Sequence, residues 1–217
     1  MSPHADTRML ASNLPATLPT VLVNTRVASG DYAALSVDNY GGATAMMRHL
    51  LGRGFRRIAF IGGPGNNFDA DERLRGYRDA IAEIGAGERL FDGDFSEDSG
   101  YRAGLLIAAL RERPEAIFAA NDMMALGCLF ALTGAGLSVP GDVALAGFDD
   151  IPIARFVTPP LTTVRVRIVE LGRLAMERLA ALIENGSTPR AAEPLACELI
   201  VRASTGAAAA GAAADTG

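Results

Sequence analysis

Small polar side chains recur at one kind of place in this sequence, directly after a short apolar run. They are Asn24, Asp38, the loop Gly62–Asp71, Asp94-Phe95, Asn121-Asp122 and Asp149-Asp150. Arg73 opens the helix expected after the glycine loop, close to the same group. If each apolar run is a strand of a parallel sheet, all of these residues share its carboxyl edge, where open α/β sheets bind ligands. Asp and Asn each pair with two hydroxyls, Arg donates through a planar fork, and Phe68 or Phe95 covers the apolar face of a sugar or base. The mix suits a neutral, hydroxyl-rich molecule and suits a polyphosphate badly, because the carboxylates repel it. The loop GGPGNN hints at phosphate but has the spacing of neither nucleotide fingerprint. Taken singly, Asn121 reads more readily as a plain helix cap and Asp149 as an ordinary loop residue; the other strand ends shift that balance.

Catalysis finds little in the residue types. All 20 basic side chains are Arg, so a lysine phosphate loop and Schiff-base chemistry are both excluded. The only His are His4 and His49, the latter beside apolar Leu50 in a helical stretch. No Ser sits in a nucleophile elbow, no His/Cys spacing suggests a metal, and no cofactor is expected. A net charge of −5 argues against nucleic-acid binding by charge in the chain as given. Cys128 and Cys197 lie in apolar surroundings and read as core thiols rather than a disulfide. No apolar run is long enough to span a membrane, and the N-terminus carries no export signal, so a cytoplasmic setting is expected.

The elements that must position these residues alternate between strand and helix, which predicts an α/β fold with parallel strands. Residues 5–13 read as a short helix, Pro19–Asn24 as a strand, and residues 26–35 as a loop. Leu35–Asp38 is extended, and Asn39 is placed to cap the helix Gly41–Arg53. Arg57–Ile61 is a strand, and Asp71 is placed to cap a helix with Leu74, Tyr77, Ile81 and Ile84 inward. Leu90–Asp94 is a weaker strand, after which Ser96 caps a helix with Tyr101, Leu105 and Ala109 inward. Ala116–Ala120 (strand), Met123–Thr133 (helix) and Val143–Gly147 (strand) form one complete unit, joined right-handedly. Leu161–Val164 is a strand, and Ile168–Glu184 is an amphipathic helix with Ile168, Leu171, Ala175, Leu179 and Leu182 inward. Leu195–Val201 is the last strand. Residues 205–217 are a low-complexity tail expected to be disordered.

The helix Met123–Thr133 is apolar around most of its circumference, so it is covered on more than one side. Either it is wholly buried in its own domain, or one side meets a partner subunit. In the second case Met124, Leu126, Cys128, Phe130 and Phe156 are the candidate contacts.

The runs VDNYGGATAMMRHLLGRGFRRIAFIGGP, ERLRGYRDAI, GDFSEDSGYRA, AIFAANDMMALG, GLSVPGDVALAGFDD, PPLTTV and LIVRAST occur in this order from near Asn24 to Thr205. As a set they resemble the effector-binding part of LacI/GalR-family (lactose repressor) transcription regulators. The resemblance implies two Rossmann-like lobes similar to periplasmic sugar-binding proteins. It assigns residues 1–35 and 166–192 to a partial N-terminal lobe, and 36–165 with 193–204 to a C-terminal effector-binding and dimerisation lobe. It further implies that Arg73 hydrogen-bonds a small-molecule effector, that Asn121 and Asp149 bind its hydroxyls or ring substituents, and that Phe95 stacks on it. Asn24 falls where several relatives carry an acid, and Asn67–Asp69, with Phe68, tunes ligand choice. Operator DNA would be met only through a helix-turn-helix headpiece not included in this sequence, and the chain would pair as a homodimer. A solute-binding protein of a transporter shares the fold and the site chemistry and is the alternative expectation.

Overall fold

The computed structural model describes residues 18–25, 32–185 and 193–206. The helix expected over residues 5–13 and the tail beyond Gly206 lie outside them. The strands are β1 (Val21–Val23), β2 (Ala33–Leu35), β3 (Ile58–Ile61), β4 (Leu90–Phe91), β5 (Ala116–Ala119), β6 (Ala144–Ala146), β7 (Thr163–Arg165) and β8 (Glu198–Ile200). The helices are α1 (Asn39–Gly52), α2 (Phe68–Glu83), α3 (Glu97–Ala108), α4 (Asp122–Gly134) and α5 (Ile168–Asn185).

The central sheet is parallel with the order β4-β3-β5-β6. β3 and β5 are buried at every position, as continuous apolar runs covered on both faces must be. The chain leaves β3 toward β4 and then returns to β5 on the other side of β3. That reversal is a switch point, and it opens a crevice at the strand ends. The core beneath it is built around Phe60, which stacks on Tyr77 of α2 at 5.1 Å and meets Phe118 edge-on at 5.3 Å. A smaller sheet, β1-β2, packs with α5 around Leu35, Val37 and Leu171.

Several expectations need correction. Ala33–Leu35 pairs in parallel with β1 rather than lying in a loop, because its short Ala-Ala-Leu run offers the sheet edge a full register. β7 and β8 are antiparallel, so the sheets are not uniformly parallel. Asp38 caps α1 through the Gly41 amide and Asn67 caps α2 through the Ala70 amide, displacing Asn39 and Asp71 from those roles. Ile84, Leu105 and Ile168 face out rather than in. The inward face of α3 consists instead of small residues, Ser99, Gly100, Ala103 and Gly104, with Ile107.

That small-residue face explains α4. The two helices approach so closely that a Cβ on Gly127 would lie 1.9 Å from the Glu97 carbonyl oxygen, and one on Gly100 would lie 2.0 Å from that of Met124. α4 is therefore buried on two sides by its own chain, against the sheet and against α3. Met124 and Cys128 are fully buried there and offer nothing to a partner, which removes them from the candidate interface. Leu126 is partly covered, while Phe130 is 72% exposed and Phe156 71% exposed. Overpacking this contact should be costly: Gly127→Ala is expected to lower stability by roughly 2–3 kcal/mol in urea denaturation, whereas an unchanged midpoint would mean that the helices can part freely.

Candidate functional site

At the carboxyl end of the central sheet lies a cavity of about 570 Å³. Asn24, Asp69, Arg73, Phe95, Asn121, Asp149, Asp150, Ile151, Pro152, Val166 and Ile168 line it. Arg73, Phe95, Asn121, Asp149, Asn24 and Asp69, expected from the sequence to face a ligand, are all in that set; Asn67, which caps α2, and Phe68, its first residue, are not. Asp150 was expected at this edge without a ligand role, and Ile151, Pro152, Val166 and Ile168 were not anticipated.

Each strand end delivers its residue by a local device. Asn121 caps α4, its Oδ1 accepting from the Met124 amide at 2.9 Å, and its Nδ2 donates to the Phe95 carbonyl at 3.0 Å. Helix capping and cavity lining thus fall to the same side chain. Asp94 accepts from both the amide and the hydroxyl of Ser96; these bonds hold its carboxyl down at about 2 and fix the turn that presents Phe95. Asn24 accepts from the Val37 amide at 3.2 Å, joining the β1 end to the segment entering α1.

Arg73 is the centre of the arrangement. Its side chain is only 7% exposed. Nε donates to Asn39 Oδ1 at 2.8 Å, and Nη1 donates to the Ala120 carbonyl at 2.6 Å and lies 3.2 Å from Asp149 Oδ1. The guanidinium also stacks 3.8 Å from the centroid of Phe148. A buried charge is tolerated only when paired and hydrogen-bonded, and Arg73 is both.

Asn39 was not recognised in the sequence as part of this site. Its Nδ2 donates to Asp69 Oδ1 at 2.9 Å while its Oδ1 accepts the hydrogen bond from Arg73 Nε. A neutral amide between a guanidinium and a carboxylate satisfies both. The residue was read as a cap because Asp38-Asn39 offers two capping side chains in succession; one residue's difference turns Asn39 inward.

Asp149 keeps 35% of its side chain open, toward the cavity. Burial pushes its carboxyl above the ordinary range, Arg73 pulls it back, and Asp69 adds to the upward push. Burial would also raise Asp150, but hydrogen bonds from Arg202 (2.6 Å) and Arg165 (2.7 Å) overcome that and hold it low. Among the described lining residues the acids are Asp69, Asp149 and Asp150, and Arg73 is the one cation. The cavity therefore offers acceptors and a prepaired guanidinium rather than surplus positive charge. Asn24, Phe95, Asp149 and Asp150 all hold left-handed backbone, with φ of 49°, 70°, 110° and 55°. Such conformations cost about 1–3 kcal/mol each and concentrate where a surrounding frame fixes functional groups.

Of the two histidines, His49 lies within the described residues and is engaged. His49 Nε2 lies 3.0 Å from Thr205 Oγ1, and burial followed by Arg53 lowers its pKa. Both cysteines are free thiols pushed up to about 12 by burial. Among the described residues no His, Cys, Asp and Glu cluster could hold a metal, and no helix is long and apolar enough to cross a membrane. Asn39→Ala would orphan Arg73 Nε and one Asp69 contact inside the fold. It is expected to cost about 1–3 kcal/mol in chemical denaturation, and a loss below about 0.5 kcal/mol would show that the amide link is dispensable.

Comparison with known proteins identifies the relatives of the chain. Residues 47–205 match the periplasmic binding protein-like domain family. The chain is 35% identical over 205 residues to the HTH-type transcriptional regulator GalR of Salmonella typhimurium (strain SL1344), covering 93% of this chain and 59% of that protein. It is 38% identical over 181 residues to the ribose operon repressor of Escherichia coli (strain K12), covering 81% and 54%. It thus spans little more than half the length of these curated relatives. Among solved structures, a LacI family transcriptional regulator from Enterococcus faecalis V583 with bound ribose superposes with a TM-score of 0.86 at 26% identity, covering 94% of this chain and 75% of that one. The chain belongs to the periplasmic binding protein-like domain family, and the relatives named here are transcription regulators of the LacI/GalR type.

Proposed function

We propose that this chain is the effector-sensing and dimerising module of a LacI-type transcription regulator, a binding protein rather than an enzyme, working in the cytoplasm. The observation that carries this reading is the convergence of Arg73, Asp149, Asn121, Phe95, Asn24 and Asp69 on one cavity. The ligand is a neutral, hydroxyl-rich molecule of the sugar or nucleoside class. Carboxylates and amides take its hydroxyls, the remaining Arg73 donors take a ring or hydroxyl oxygen, and Phe95 covers its apolar face. The proteins named above, a ribose operon repressor and a ribose-bound regulator among them, support that class.

Residues 36–165 with 193–204 serve as one lobe, and 1–35 with 166–192 contribute to the other. Asn24, Val166 and Ile168 line the cavity from the second part, so a ligand there touches both and favours one angle between them. It shifts that equilibrium only by its difference in affinity for the two arrangements, typically about 1–3 kcal/mol. Operator contact belongs to a helix-turn-helix headpiece outside this sequence, consistent with the chain's own charge of −5. Subunits pair through the outer side of α3–α4. There Tyr101, Leu126 and Phe130 line a hollow of about 370 Å³, with exposed Phe156 as a further contact.

Calorimetry against neutral mono- and disaccharides and nucleosides tests the site. A binder is expected, with Asp149→Ala weakening it by tenfold or more, roughly 1.4 kcal/mol. Absence of any binder, or an unaffected Asp149→Ala, would contradict the reading. Phe130→Asp is expected to convert a dimer to a monomer in sedimentation velocity. An association state that ignores this substitution would place the interface elsewhere.

A further inference from the structure

Asp122 has no exposed surface and does not line the cavity, yet it sits directly behind the wall that carries Asp149. Its Oδ2 accepts from the Ile151 amide at 2.9 Å, and its Oδ1 accepts from the Thr163 hydroxyl at 2.6 Å. That hydroxyl in turn accepts from the Asp150 amide at 3.3 Å. The Asp122 amide donates to the Phe148 carbonyl at 2.7 Å, on the other side of the same turn. The carboxylate also fills the space beside Gly147, where a Cβ would come within 2.2 Å of Oδ1. Asp149 and Asp150, which this frame surrounds, hold left-handed backbone that has to be fixed from outside.

We propose that Asp122 is the positioning residue of the cavity: its carboxylate clamps the Asp149-Asp150 turn from behind, and protonating it loosens that turn. The donor count carries the argument. The ionised group accepts from both Ile151 and Thr163, which leaves the Thr163 oxygen free to accept from Asp150. A proton on Oδ1 would leave the Thr163 hydroxyl hydrogen without its acceptor, and a proton on Oδ2 would face the Ile151 N–H. Two acids and the three cations paired with them complete the electrostatics. Asp149 and Asp150 on the turn disfavour the charge, whereas Arg73 of α2, Arg165 of β7 and Arg202 of the last segment are committed to those two acids.

Burial, reinforced by Asp149 and Asp150, pushes the Asp122 carboxyl up from 3.8 to about 7. The sign follows from a folded-state pKa above the unfolded one: this group's contribution to global stability falls as pH rises from about 4 through 7. The local hold runs the other way and strengthens as the carboxylate forms. A structural acid without the clamp would not give opposite trends.

The value of the clamp to ligand capture rests on the effector reading above, but the clamp is read without ligand, so either can fail alone. Hydrogen exchange of the unliganded chain, followed by NMR at the Asp150 and Ile151 amides and corrected for intrinsic rates, supplies the test. From about pH 6 to about pH 8, protection of both amides is expected to rise roughly tenfold, while Asp122→Asn gives low, pH-independent protection. Thr163→Val, which leaves the carboxylate in place, is expected to expose the Asp150 amide and spare Ile151; it decides the matter should Asp122→Asn not fold. Flat protection in the wild type, a pH profile that survives Asp122→Asn, or equal loss at both amides in Thr163→Val would overturn the proposal.

Discussion

A buried guanidinium sets the terms for this site. Arg73 cannot lie beneath the sheet edge without acceptors, and the acceptors it finds come from separate parts of the chain: the Ala120 carbonyl at the end of β5, Asn39 at the start of α1 and Asp149 beyond β6. Moving any of these elements would leave a charge short of partners in a low-dielectric interior, at a cost of several kcal/mol. The cation therefore ties the strand ends together before a ligand arrives. Phe148 beneath and Asn39 beside it leave the guanidinium little freedom to turn.

The rim built on this tie is rigid where it meets a ligand and divided where it could move. Left-handed backbone at Phe95, Asp149 and Asp150 is held by side chains from behind: Asn121 on the Phe95 carbonyl, and Asp122 with Thr163 on the later turn. On the other side, Asn24, Val166 and Ile168 come from segments associated with a small separate cluster around Leu35, Val37 and Leu171. Val166 packs against both that cluster and the main core, so the two sides of the cavity meet there.

Much of this was legible in the residues. The strand–helix alternation, the apolar β3 and β5, and the polar residue after each strand follow from periodicity and burial, and they brought Arg73, Phe95, Asn121, Asp149, Asn24 and Asp69 to one cavity. What escaped depends on a single residue's difference or on partners distant in sequence. Asp38 and Asn39 are both competent caps, and only the Arg73 contact shows why the second turns inward. Asn67 and Asp71 pose the same ambiguity at α2. The face of α3 was misread because Leu105 suggested a core stripe, while glycines at 100 and 104 made the buried side by permitting close approach. The apolar surround of α4 could mean a partner or a neighbouring helix, and for Met124 and Cys128 it meant the helix. Asp122 was grouped with Asn121 at the sheet edge, and its place behind the later turn is visible only once Thr163 and Ile151 are set beside it.

NMR recorded while D-ribose, cellobiose and further neutral sugars and nucleosides are titrated in turn tests the central claim most directly. For the compound that binds, shifts are expected to concentrate at the Arg73 Nε–H, the side-chain amides of Asn24 and Asn121, and the backbone from Asp149 to Pro152. Shifts confined to the outer face of α3 and α4, or a spectrum that no such compound moves, would contradict it.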